Sequence, residues 1–189
     1  MQIRKSLAYG PFIESLYSAA SRSENYLSLF TSTQIKKDLH VEAFLRILAM
    51  SDIYYGKFKS SKQGIKNILD EYGEQKKSES ISEEVISKLF SSLDQLLEFF
   101  EAKKLFRRVN ANRDIEGILN FGILESLLGV MVFGGYKLPD NFNEKYINHM
   151  GQLFVGYLLD ESHNPFSTST GSVSSIKKRF EIFEGMLEK

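Results

Sequence analysis

The chain has 189 residues, of which 42% are apolar, enough for a domain with a real hydrophobic core. Lysine plus arginine and aspartate plus glutamate number 24 each, which excludes the global positive field that drives non-specific binding to nucleic acid. Cysteine is absent, so disulfides and thiolate metal sites are excluded and a cytoplasmic location is expected.

Long runs of 3.6-residue periodicity, a scarcity of proline and the lack of alternating β-branched runs predict an all-α fold. The expected architecture is a multi-helix bundle of about eight or nine helices in one domain, 1–189. The predicted helices cover about 2–9, 11–22, 24–30, 39–55, 61–73, 81–104, 115–133, 142–159 and 172–188. Gly10 and Pro11 stop one helix and start the next. In "LHVEAFLRILAMSDIYY" the apolar residues fall all around the helix axis, which marks a central buried helix, yet Arg46 sits inside it. The polar stretch at 74–82 is the best candidate for an exposed hinge or loop, and Ser82 caps the helix that follows. "GILNFGILESLLGVMVFGG" is a second all-round apolar helix, kept from reading as a membrane span by Asn120 and Glu125. No other window approaches a span, and "MQIRKSLAYG" lacks the apolar core of a signal peptide, so no membrane partner is expected.

The last predicted helix follows "STSTGSVSSIKKRF", a hydroxyl-rich stretch ending in three cations. It reads either as a capped helix start or as a phosphate cradle, because free N–H groups at a helix N-terminus favour anions. Thr170 or Ser172 is the expected N-cap. Val173, Ile176, Phe180, Phe183 and Leu187 form an apolar stripe, and Lys177 and Lys178 point away from it. Arg179 projects into the apolar arc, where an unpaired guanidinium is costly, so it requires an anionic or carbonyl partner. Arg46 poses the same demand. Both arginines are satisfied either by internal ion pairs, with Asp52, Asp70 or Glu125 in reach, or by forming one anion-binding pocket.

Signatures of catalysis fail in turn. There is no phosphate-binding loop ending in Gly-Lys-Ser/Thr, no His-Glu-x-x-His and no Gly-x-Ser-x-Gly. His40, His149 and His163 lie far apart, and none has an arginine a turn or so ahead of it, as helical ribonucleases of the HEPN type require. No catalytic residue, metal ligand or cofactor is assigned.

Four segments in order, "QIRKSLAYGPF" from Gln2, "FLRILA" from Phe44, "LFRRVNANRDIEGILNFGILESLLG" from Leu105 and "FSTSTGSVSSIKKRFE" from Phe166, resemble one family. They look like the helical C-terminal half of the ParB/sulfiredoxin-like proteins with a DGQQR motif, a family that includes the GmrSD type IV restriction enzymes and related phage-defence proteins. In that family the N-terminal half carries the nucleotide-hydrolysing, nuclease-associated chemistry. This chain has no DGQQR, and Gln2, Ile3 and Arg4 match the end of the segment joining the two halves.

The resemblance therefore implies a catalytically silent helical portion that packs on a ParB-like domain supplied elsewhere. Nucleotide or nucleic acid would be engaged only through the full assembly. By position Arg4, Arg46, Phe106, Arg107, Thr170 and Arg179 match the family's recurring residues, and the arginines and Thr170 are the candidate anion- or partner-binding groups. On this reading Ile3, Leu7, Phe12 and Leu16 should be partly exposed at a domain interface. A stand-alone helical adaptor with no nucleotide connection and a helical nuclease with an unrecognised site remain the alternatives.

Overall fold

A computed structural model of the chain describes residues 10–159, 164–167 and 170–189. The predicted helix at 2–9, with Ile3, Arg4 and Leu7, lies outside the described residues. The chain is predominantly helical, with nine α-helices among those residues and one minor hairpin.

Helices α1 (Pro11–Ala20), α2 (Glu24–Leu27), α3 (Ser32–Lys36), α4 (Leu39–Tyr54), α5 (Ile65–Lys76) and α6 (Glu83–Phe99) precede strands β1 (Arg108–Val109) and β2 (Ile115–Glu116). Helices α7 (Phe121–Gly134), α8 (Phe142–Leu159) and α9 (Val173–Glu184) follow. Helix α4 is buried along almost its whole length and lies against α7, the other all-round apolar helix. Around this pair, α1, α3 and α5 pack on α4, α6 packs on α7, and α9 touches both. Two helices without a polar face can only be satisfied by such a surround. Phe99 and Phe100 at the end of α6 meet Phe142 at the start of α8 edge to face, which seats α8 beside the hairpin.

Local signals explain where elements start and stop. The Ser82 side chain accepts from the Val85 N–H, and Glu83 and Glu84 follow in the first turn of α6, favourable against the helix dipole. Helix α5 runs on to Lys76, so only the later part of the 74–82 stretch is loop, and Ile81 N–H donates to Ser15 Oγ of α1 at 3.1 Å. Helix α3, which lay unrecognised between predicted helices, carries a full capping box. Gln34 N–H donates to Thr31 Oγ1 at 3.3 Å, and Thr31 N–H donates to Gln34 Oε1 at 2.8 Å.

The predicted helix over 115–133 begins only at Phe121. Ahead of it Asn110 Oδ1 accepts from the N–H groups of Asn112 and Asp114, both at 2.9 Å, and this turn pairs Val109 with Ile115. Gly117, in the left-handed region at φ 85°, leads the chain out of the hairpin, and Asn120 then caps α7 through Ile123 N–H. Phe12 and Leu16 are 3% and 0% exposed, covered within the chain rather than left at an interface as expected. Helix α1 turns its apolar stripe onto α4 and α5, where Phe12 meets the Tyr72 ring edge to face.

Close approach of α9 to α7 depends on Gly129. A Cβ there would stand 2.5 Å from Ser51 Oγ and 2.6 Å from the Phe180 ring. Gly129→Ala is expected to lower stability by about 1–3 kcal/mol through overpacking. Gly156→Ala on α8, where a Cβ meets nothing within 4 Å, should raise it by about 0.5–1 kcal/mol. Urea unfolding of both variants measures the contrast.

Candidate functional site

The two buried arginines converge on one carboxylate. Glu125 lies one turn inside α7 and is fully buried. Arg46 Nε of α4 donates to Glu125 Oε2 at 2.7 Å, and Arg179 Nη2 of α9 donates to Glu125 Oε1. Each carboxylate oxygen thus accepts from a different helix. The second terminal nitrogen of Arg179 donates to the carbonyls of Pro165, at 2.8 Å, and Thr170, at 3.1 Å. One guanidinium therefore ties α9 to α7 and to the approach that leads into α9.

Packing completes the arrangement. The Arg46 guanidinium lies over the Phe121 ring, 5.1 Å from its centroid, and its Nη1 is 3.9 Å from Glu42 Oε1, one turn earlier on α4. Gly122 leaves the room that the Arg179 side chain occupies. A Cβ at that position would meet Arg179 Cδ at 3.0 Å and Nε at 3.3 Å. Arg179 Nε is buried without a hydrogen-bond partner, so the fork is anchored at its tips and not at its base.

Burial depresses the Arg179 guanidinium from its ordinary value. Glu125 opposes that shift and the like charge of Arg46 adds to it, and an arginine so placed stays charged. Burial pushes the Glu42 carboxyl above the usual carboxylate range, with Arg46 opposing.

Of the candidate partners named from sequence, Glu125 takes both arginines. Asp52 accepts instead from the Tyr72 hydroxyl at 2.9 Å. Thr170 contributes its carbonyl, and the N-cap of α9 is Ser172, whose Oγ accepts from Ser175 N–H at 3.1 Å. The hydroxyls of Ser174 and Ser175 also lie within hydrogen-bond distance of Ser172 Oγ. Lys177 and Lys178 are exposed.

Arg107 serves another part of the fold. It donates from Nε to the Lys103 carbonyl and from Nη1 to the Gly117 carbonyl at 2.8 Å, while its own carbonyl accepts from the Tyr146 hydroxyl. Phe106 is fully buried with a left-handed backbone, φ 57°, and its carbonyl accepts from Asn120 N–H at 2.9 Å. Arg4, His163, Thr168 and Ser169 lie outside the described residues.

Sequence reasoning missed two sets of contacts, one buried and one half-buried. Glu42 stands four residues before Arg46, a spacing that signals a same-face pair in any helix. Glu184 of α9 accepts from both Tyr54, at 2.8 Å, and Tyr55, at 3.3 Å, and no local pattern announces that pairing. Among the described residues no group of three or more His, Asp or Glu side chains is placed to hold a metal ion, and no helix is long and apolar enough to cross a membrane. Comparison of the chain with protein-family models, with curated proteins and with solved structures finds no match.

Arg179→Ala leaves Glu125 with one of its two cations in a site without water access and is expected to cost about 3–5 kcal/mol. Lys177→Ala, an exposed change on the same helix, should stay within about 0.5 kcal/mol. Thermal or urea unfolding of the two variants separates them. Glu42 adds a pH signature. Its folded-state pKa lies above the unfolded one, so its ionised form costs stability above that window, and the cost disappears as pH falls through it. The stability difference between Glu42→Gln and the parent should therefore shift in favour of the parent on acidification, as read from urea titrations at a series of pH values.

Proposed function

We propose that this chain is the non-catalytic helical portion of a restriction-like, phage-defence protein. It packs on a ParB-like nucleotide-hydrolysing domain supplied elsewhere, and nucleotide or nucleic acid is engaged by the full assembly only. The observation that carries this reading is the fate of Arg46 and Arg179. The resemblance marks both as recurring residues, and both donate to Glu125 inside the chain, Arg179 also donating to two carbonyls. Buried cations already paired with a carboxylate of the same chain suit a rigid platform better than a substrate-phosphate site. Ile118, 83% exposed beside the hairpin, is the most exposed large apolar side chain among the described residues and offers an anchor for a partner.

A second reading is favoured by a different observation. Phe12 and Leu16 are closed off within the chain, as a self-contained helical adaptor requires.

The test mixes the purified chain with a separately expressed ParB-like domain carrying DGQQR and follows complex formation by size-exclusion chromatography. The chain alone is expected to hydrolyse neither nucleoside triphosphates nor DNA. The mixture should elute as a complex that Ile118→Asp weakens while the melting temperature of the free chain stays unchanged. Absence of any complex favours the adaptor. Metal-dependent hydrolysis by the pure chain, lost on a single substitution in it, overturns both readings.

A further inference from the structure

Where α1, α4, α5, α6 and the end of α7 come together, the surface opens into a cleft of about 260 Å³. Phe12, Leu48, Val85 and Phe133 give it apolar lining, Asp52 and Tyr72 polar lining, and Lys76, Glu79 and the 80–82 segment complete it. Asp52 Oδ2 accepts from the Tyr72 hydroxyl at 2.9 Å, which holds the carboxylate in place. Burial first, and then Asp52 itself, push the Tyr72 hydroxyl far above its ordinary value, so it remains a neutral donor.

The charge of Asp52 is not balanced by a neighbour. Among the described residues no cation lies within ion-pair distance of it. Lys76, at the rim, is paired with Glu79 at 2.9 Å, and the Lys57 ammonium rests over the Phe133 ring, 5.6 Å from its centroid. Asp52 also sits in the last turn of α4, which has no basic residue there, so the partial negative charge of the helix C-terminus adds to that of the carboxylate.

A carboxylate beside aromatic and aliphatic walls favours a cation that carries its own apolar surface. The volume falls just below the usual ~300–1,000 Å³ range of ligand pockets, which suits a single ring or short chain and is small for a nucleotide. The Asp52 carboxylate, with Lys76 already paired to Glu79, disfavours phosphates in any case. We propose that this cleft binds a small organic ammonium ion, its N–H groups on Asp52 and its body against Phe12, Leu48 and Phe133. This site stands independently of the function proposed above.

The experiment titrates the full chain with 2-phenylethylamine and with 2-phenylethanol, its uncharged counterpart, by calorimetry and by amide NMR shifts. The amine is expected to bind roughly tenfold or more tightly than the alcohol, as a charge-assisted hydrogen bond would require. Its shifts should centre on residues 79–85 and the end of α4. Asp52→Asn should abolish the preference for the amine. Val85→Trp, which fills the cleft from its half-exposed wall, should abolish binding of both probes with the remaining amide spectrum intact. Equal binding of amine and alcohol, shifts centred elsewhere, or an amine preference that survives Asp52→Asn in a folded variant would each overturn the proposal.

Discussion

Everything in this fold closes on the Glu125 carboxylate. It is taken wholly out of water, and that removal is tolerable only because two guanidinium groups face its two oxygens. The partners come from helices 79 and 54 residues away in sequence, so the bonds form only when α4, α7 and α9 are all in place. Replacing such a cluster with well-packed apolar side chains is often neutral for stability, whereas removing one member strands the others. Its contribution is therefore best understood as selection of one arrangement: α9 seats on α7 in the register that brings Arg179 to Glu125, and a slipped register leaves charge buried alone.

Steric clearance and charge act together along the same helix. Gly122 admits the Arg179 side chain, and Gly129, two turns further along α7, admits the Phe180 ring of the neighbouring residue. Tyr54 stacks on Phe180 at 4.7 Å and passes its hydroxyl to Glu184, so the far end of α9 is tied to the end of α4. Gly171 has a similar duty ahead of the helix, since a Cβ there would come 2.6 Å from the Ile65 nitrogen. The C-terminal residues finish the closure with a reciprocal backbone pair between Lys137 and Glu188. A helix bound at its approach, its middle and its end is a rigid element.

The same geometry separates the compensated charges of the interior from one left uncompensated near the surface. The buried arginines are committed to the interior, while Asp52, three residues after the well-covered Ala49 on α4, lines a cleft and accepts there from the Tyr72 hydroxyl. One helix thus holds a compensated charge at its centre and an uncompensated one near its end. Desolvation explains the difference: a charge in the middle of the bundle must be paired, whereas one at a cleft keeps access to water and to ligands.

By itself the sequence determined that the fold is helical, that α4 and α7 are the central helices, and that Arg46 and Arg179 point into the core and need partners. Each of these follows from the angular spread of apolar residues around a helix, a short-range property that no distant contact alters. Ser172 as N-cap was one of two local options. The capping box of Thr31 and Gln34 was legible though unused, while the Asn110 turn shows where helical periodicity in 115–120 misleads: those few residues fit a strand and a loop as well as a first helical turn. Only the tertiary structure decided that Glu125, and neither Asp52 nor Asp70, takes both arginines, that Gly122 is the space Arg179 needs, and that Asp52 remains available at a cleft. The choice among carboxylates depends on which helices lie side by side. That is set by the packing of the whole chain, and no local pattern encodes it.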